Sequence, residues 1–521
     1  MRRSVWLISA VCAVRAGFGA PEPEVALFRQ ASTPTPENPV DAPVFRKLTR
    51  HGITPVYCTD AVFLRRAYLD ILGTLPTADE ARTFLSDASL NKRTALIDRL
   101  LERDEFADYW AMRWSDLLRV KAEFPVNLWP NAAQAYHRWI RAAMRDNKPY
   151  DCFARELLLS NGSNFRVGPV NFYRATPDRS PEGLASAAAL TLMGARTEHW
   201  PSNRLADLAV FFSQVRYKPT REWKEEIVFW DPEQPLTVPT GRLPDGTTVR
   251  LKPGRDPRAA FAEWLITPQN PWFTRALVNR VWYWLLGRGI IHEPDDIRPD
   301  NPPSHPDLLE RLQREFVRDG YDMRRLCRLI LTSRTYQLSP VFPSGQVASA
   351  APLFACYPLR QLDAEVLIDA INKVTGTSDL YTSAIPEPFT FIPANKPAVS
   401  LPDGSITSPF LELFGRPARA TGLASERISR ASPAQRMHLL NSSHIQRKLE
   451  TGPVLRRMFG GKRGTRAMIE EAYLTTLSRF PSAAEIEAFE RYMRSGVVEG
   501  GAAGVDLVWA LINSDEFLYR H

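Results

Sequence analysis

At 521 residues the chain exceeds what one ordinary hydrophobic core supports, so its length points to two domains. Hydrophobic residues at 44% and charged residues at 24% are globular values, which excludes a chain too polar to bury a core. The net charge of +8 is spread without a basic run or a stripe interleaved with aromatics, so nucleic acid is not indicated and a mildly basic surface is left.

The opening stretch MRRSVWLISAVCAVRAGFGA places Arg2 and Arg3 before an apolar run from Val5 to Val14, with small residues near Ala20. This is the pattern of a signal peptide over 1–20, and it predicts an extracytoplasmic protein, periplasmic or secreted. The run is too short to span a bilayer, and no later stretch approaches the roughly 18 apolar residues a span needs, so no transmembrane segment is expected after the signal. Beyond it lie Cys58, Cys152, Cys327 and Cys356, too far apart for a compact zinc knot. They are compatible with disulfides in an oxidising compartment or with isolated thiols.

Residues 21–45 are Pro-rich and polar, as an exposed linker is. From Phe63 the spacing turns helical: Phe63, Ala67, Leu69 and Leu72 recur at helical intervals, and Arg66 before Asp70 reads as a surface ion pair. Gly73 and Pro76 stop this helix, and Thr77 with Glu80 is a capping-box signal for the next. Helical spacing then continues, predicting a first helical module over 46–215. Between 216 and 258 short β-prone runs, many prolines and the turn signal Asp245-Gly246 predict a connector containing a β-hairpin. A second helical module is predicted over 259–521, with a loop-rich insertion around 340–430 that holds one helix, LRQLDAEVLIDAINKVTG. The fold class is mainly α: two helical modules joined by a short β-containing, Pro-rich segment.

The two ends echo each other. YLDILGTLPTADE, from Tyr68, matches YLTTLSRFPSAAE, from Tyr473, at the Tyr, both Leu, Pro, Ala and Glu positions. Each is followed by Asp-Glu-Phe, ending at Phe106 and Phe517. A helix, a Pro-containing corner, a second helix and a tucked aromatic make one packing unit used twice, rather than a repeated site.

Candidate chemistry concentrates in GRGIIHEPDDIRPDNPPSHPDLLE, where His292, Asp295, Asp296 and His305 offer imidazole and carboxylate groups for a cation or for acid–base work. The same letters also spell a helix start, with Ser304 as N-cap and Pro306 and Asp307 in the first turn. No defined metal motif matches, so no metal is assigned. Trp110 and Trp114 read as core at helical spacing. Trp282, Trp284 and the nearby Arg280 are ligand-binding candidates, because close neighbours on a helix cannot all face inward. No GxSxG elbow, HExxH or phosphate-cradling Gly loop is present.

Together FLRRAYLDILGTLPTADE, LVNRVWYWLLGRGIIHEPDDIRPDNPPSHPDLLERL, LTSRTYQLS and LVWALINSDEFLYRH resemble the paired-module planctomycete cytochrome-associated proteins. In that family a domain of unknown function 1549 precedes a domain of unknown function 1553. The resemblance implies export and a mainly helical fold, and no established reaction. Many members carry a haem-type Cys-x-x-Cys-His in the region that here reads LTLMGARTEHWPSNRLADLAVFFSQV. Counted without gaps, the motif falls on Gly194, Thr197 and Glu198; shifted to use His199 as axial ligand, it places Ala195 and Glu198 at the thiol positions. Neither register supplies a thiol, so covalent haem is expected to be absent and no cofactor is assigned.

The expectation is therefore an exported helical protein acting as a cell-envelope binding or assembly component, with polysaccharide or an envelope protein as candidate partner. The rival expectation is a periplasmic enzyme, hydrolytic or redox-linked, built on the loop at 292–307.

Overall fold

The computed structural model describes residues 26–30, 35–236, 238–342, 351–428, 430–460, 464–498 and 501–521. The expected signal peptide, the first part of the Pro-rich stretch, residues 31–34 and residues 343–350 of the loop-rich insertion lie outside these described residues. What is described is mainly helical, with small antiparallel sheets. Helix α1 (Asp41–Arg50) begins inside the stretch expected to be linker, because Val44, Phe45 and Leu48 supply a buried apolar face.

Helix α2 (Asp60–Ile71) starts where the Thr59 hydroxyl accepts from the Val62 amide, and nearly all of it is buried. Arg66 and Asp70 do not form the expected surface pair: both are buried and they serve different partners. Arg66 donates to the carbonyls of Tyr336, Leu338 and His521. Asp70 accepts from the Tyr336 and Tyr357 hydroxyls at 2.9 and 2.7 Å and pairs with Arg520 at 3.2 Å. A helix buried all round has no solvent face, so each polar side chain on it is met by a partner.

The capping-box signal is realised in α3 (Ala78–Ser86), where the Glu80 amide donates to Thr77 at 3.2 Å and the Thr77 amide to Glu80 at 2.7 Å. Its echo begins α4 (Ala483–Arg494), through Ser482 and Glu485. In both corners an arginine clamps the capping glutamate and the glutamate of Asp-Glu-Phe: Arg103 holds Glu80 and Glu105, and Arg479 holds Glu485 and Glu516. Each guanidinium also lies over the tyrosine of its corner, Tyr68 or Tyr473, and Phe106 and Phe517 are buried. The repeated phrase is a repeated packing unit.

Three further helices frame the interior: α5 (Asp104–Leu117), α6 (Phe273–Leu286) and α7 (Ala364–Thr375). Trp110 and Trp114 of α5 are core residues, at 1% and 0% exposure. Helix α6 ends at Gly287, whose left-handed φ of +72° a side chain would resist and whose added Cβ would lie 2.4 Å from Arg360 Cδ.

The expected hairpin is present: β4 (Thr240–Arg242) pairs with β5 (Thr248–Arg250), turning at Asp245 and Gly246 with Gly246 at φ +92°. The connector is also tied to the first helical region, since β1 (Gly162–Ser163) and β2 (Val215–Pro219) both pair antiparallel with β3 (Glu226–Trp230). The last sheet joins β6 (Arg360–Gln361) to β7 (Tyr519–Arg520), which delivers Arg520 to the centre of the molecule. All four described cysteines are free thiols, with Cys58 and Cys327 buried.

Candidate functional site

The loop at 292–307 does not gather its four candidates. Asp295 and Arg280 are each 2% exposed and pair at 3.1 Å. The other Asp295 oxygen accepts from the Ala424 amide at 2.7 Å, and Arg280 also donates to the carbonyls of Leu190 and Thr191 at 2.5 Å. Asp296 pairs with Arg298 at 3.2 Å. His292 is half-buried, 3.5 Å from Glu293, and burial with the nearby Arg288 lowers its pKa. His305 is 3% exposed and lies in a different groove, against Arg46, Lys47 and Arg50. Burial, then Lys47, brings its pKa down to about 4, so its imidazole is neutral at ordinary pH. His305 rather than Ser304 occupies the cap position of the helix at Pro306–Arg318, because the Ser304 hydroxyl donates to Ile290 instead. Among the described residues no group of three or more His, Cys, Asp or Glu side chains is placed to hold a metal ion.

The two candidate tryptophans part company, as positions two apart on a helix must. Trp282 is 0% exposed and packs edge-on against Phe354. Trp284 sits partly exposed on a cavity wall, edge-on to Trp110 at 5.8 Å and Trp114 at 5.9 Å. In the turn after the π-helical segment Ala189–Met193, Gly194 adopts φ +61° and its carbonyl accepts from the Ile297 amide at 2.8 Å. Thr197 shares a hydroxyl contact with Ser186 at 2.5 Å, whereas Glu198 and His199 are exposed.

The cavity beside Trp284 encloses about 140 Å³. Five arginines line it, Arg113, Arg280, Arg360, Arg427 and Arg520, against three aspartates, Asp116, Asp295 and Asp363. Asp363 binds Arg113 and Arg520 at 2.6 Å each, and Arg427 bridges Asp116 and Glu365 at 2.7 Å each. Burial opposes ionisation of Asp363, but Arg113, Arg520 and Arg427 override it and hold the carboxyl well below its usual range. Glu365 is likewise brought down to about 2, burial being outweighed by Arg427 and Arg416. Both carboxylates are ionised at neutral pH, and in the lining itself five arginines face three aspartates. The Nε atoms of Arg113, Arg360, Arg427 and Arg520 are buried without a hydrogen-bond partner. Guanidinium groups that outnumber the aspartates of the lining, beside the ring of Trp284 and the phenol of Tyr283, form an arrangement that can pair with an anionic group.

Of this lining the sequence signals Arg280, Asp295 and Trp284. Arg360, Asp363, Arg427 and Arg520 carry no local signal, since each stands alone in its own segment.

Two family models match the chain. PSCyt2, a protein of unknown function (DUF1549), covers residues 39–195, and PSD1, a protein of unknown function (DUF1553), covers residues 257–493. The chain belongs to this paired-module family. Comparison with curated proteins and with solved structures finds no match. In this paired-module protein the cavity lies where the two matched segments meet. Arg113 and Asp116 come from the first, Arg280, Asp295, Arg360, Asp363 and Arg427 from the second, and Arg520 from beyond both.

Proposed function

We propose that the protein is an exported cell-envelope binding component that receives an anionic group in the arginine-lined cavity, with acidic polysaccharide as its ligand class. The excess of arginines over aspartates around the cavity carries this reading. Guanidinium forks pair with carboxylate or sulfate, and an indole beside them offers a face for a sugar ring. A volume of about 140 Å³ suits an acidic end group and not a polymer, so a chain terminus is the part held. The signal-like residues 1–20 support export, and the lack of a thiol at Gly194, Thr197 and Glu198 supports a protein without covalent haem. No helix among the described residues is long and apolar enough to cross a membrane. The enzyme alternative on the 292–307 loop lacks support of this kind, because Asp295 and His305 line separate cavities.

Calorimetric titration of the purified chain with neutral, uronate-terminated and sulfated oligosaccharides tests the proposal. The acidic ligands are expected to bind, more weakly as salt rises, and Arg113→Gln or Trp284→Ala to weaken binding at least tenfold. No binding of any acidic oligosaccharide refutes the ligand class; binding that both variants leave intact refutes the cavity.

A further inference from the structure

A second cavity, of about 640 Å³, adjoins the first at Leu423, which lines both. It lies between the helix at Pro181–Ala188, the turn at 196–199 and the loop at 420–423. Its wall contains Arg119, which is 3% exposed and, among the described residues, has no carboxylate at ion-pair distance, Glu426 acting on it from farther away. Arg119 Nε donates to the Ala175 carbonyl at 3.2 Å and Nη1 reaches Thr421 O at 3.4 Å, while Nη2 has no partner. The segments carrying those two carbonyls, at 175–178 and 420–423, are themselves cavity wall, so the guanidinium is wedged between two lips of the opening. The backbone accommodates this placement at a cost: Arg119 itself has φ +56°, and Gly422, at φ +74°, leaves only 2.6 Å between a hypothetical Cβ and Arg119 Nη1. Burying a cation whose nearby carboxylate, Glu426, stands beyond ion-pair distance costs free energy, which an anion bound against Arg119 would offset.

The rest of the wall says what the anion is attached to. Ala187, Leu190, Leu205 and Leu423 supply its apolar part, Arg196 is a second cation on the wall, and Asp178, Glu182 and Glu198 stand exposed at its rim. We infer that this cavity is a second binding site, for an organic acid with one anionic head, held by Arg119, and an apolar body. The rim carboxylates repel a second negative charge, so the site selects monoanions, in contrast to the more strongly cationic cavity beside it. The inference does not rest on the proposed function of that neighbour.

Decanoate, decanol and decanedioate are the probes, titrated calorimetrically into the full chain. Decanoate is expected to bind one to one, with decanol and decanedioate at least tenfold weaker. Arg119→Met, which removes the charge and keeps the aliphatic volume, is expected to erase the preference for decanoate over decanol without lowering the melting temperature. Glu182→Gln with Glu198→Gln, both at exposed positions, is expected to bring decanedioate to within a few-fold of decanoate. Arg113→Gln, in the neighbouring cavity, is expected to leave decanoate binding unchanged. Absence of saturable decanoate binding overturns the inference, as does an Arg119→Met protein that still prefers decanoate, or loss of binding in Arg113→Gln.

Discussion

Glu365 illustrates what a buried carboxylate requires. It is 0% exposed, and Arg427 and Arg416 reach it at 2.7 and 3.3 Å. Its folded pKa of about 2 lies below the ordinary 4.5, so the folded state holds the ionised form more tightly than the unfolded chain does. The stabilisation is therefore complete above about pH 4.5 and is lost as pH falls towards about 2. Arg427→Met removes the cation that Asp116, Asp363 and Glu365 share, and breaking a buried network of this kind costs about 3–5 kcal/mol. Urea unfolding across the acid range is expected to show a lower midpoint for Arg427→Met at neutral pH and a shallower fall between about pH 4.5 and 2, because Glu365 is then less strongly ionised. Equal acid limbs in the two proteins count against Arg427 as the group that sets this titration.

At the scale of elements, the turn after Ala189–Met193 docks against the 292–307 loop through its backbone. Gly194 closes the π-helical segment and hands its carbonyl to Ile297, while an added Cβ would come within 3.0 Å of Ile297 Cδ1 and 3.4 Å of Ala276 Cβ. Gly194→Ala is expected to cost about 1–2 kcal/mol from the left-handed φ alone, and Glu198→Ala or His199→Ala less than about 0.5 kcal/mol because both are exposed. Denaturant midpoints measure all three, and a His199→Ala effect as large as that of Gly194→Ala would refute the docking role. Such contrasts mark what a sequence can disclose. The Thr77–Glu80 box was legible because its partners are three residues apart, and Trp110 and Trp114 were legible because helical spacing places them on one face. The spacing of Arg66 and Asp70 suits a surface pair equally well, and only the carbonyls of Tyr336, Leu338 and His521, far away in the chain, decide otherwise. The cavity was legible only in Arg280, Asp295 and Trp284, because Arg113, Arg360, Asp363, Arg427 and Arg520 meet through tertiary contacts that no local period encodes.

For the whole molecule, the same contacts join what the family models divide. Arg65 of α2 donates to the carbonyls of Thr476 and Phe517 at 2.8 and 2.9 Å, and Arg66 to that of His521 at 2.9 Å. Arg520 returns the exchange by pairing with Asp70 of α2 and with Asp363 of α7. The first helical region thus keeps Arg65, Arg66 and Asp70 dry only while Tyr336, Leu338 and Tyr357, together with Thr476, Phe517, Arg520 and His521, cover them. A fragment spanning 39–215 would expose these three charges on an otherwise apolar helix and leave its apolar surface without a partner. It is therefore expected to lack a cooperative thermal transition and a near-ultraviolet circular dichroism signal. The full chain is expected to unfold with far- and near-ultraviolet signals coincident, and removal of Tyr519–His521 to lower its midpoint by taking one partner each from Arg66, Asp70 and Asp363. A 39–215 fragment that melts cooperatively on its own would show that the two modules are folding units merely docked together. In that case the charges of α2 would form an interface rather than a shared core, and the arginine cavity would open and close with module docking.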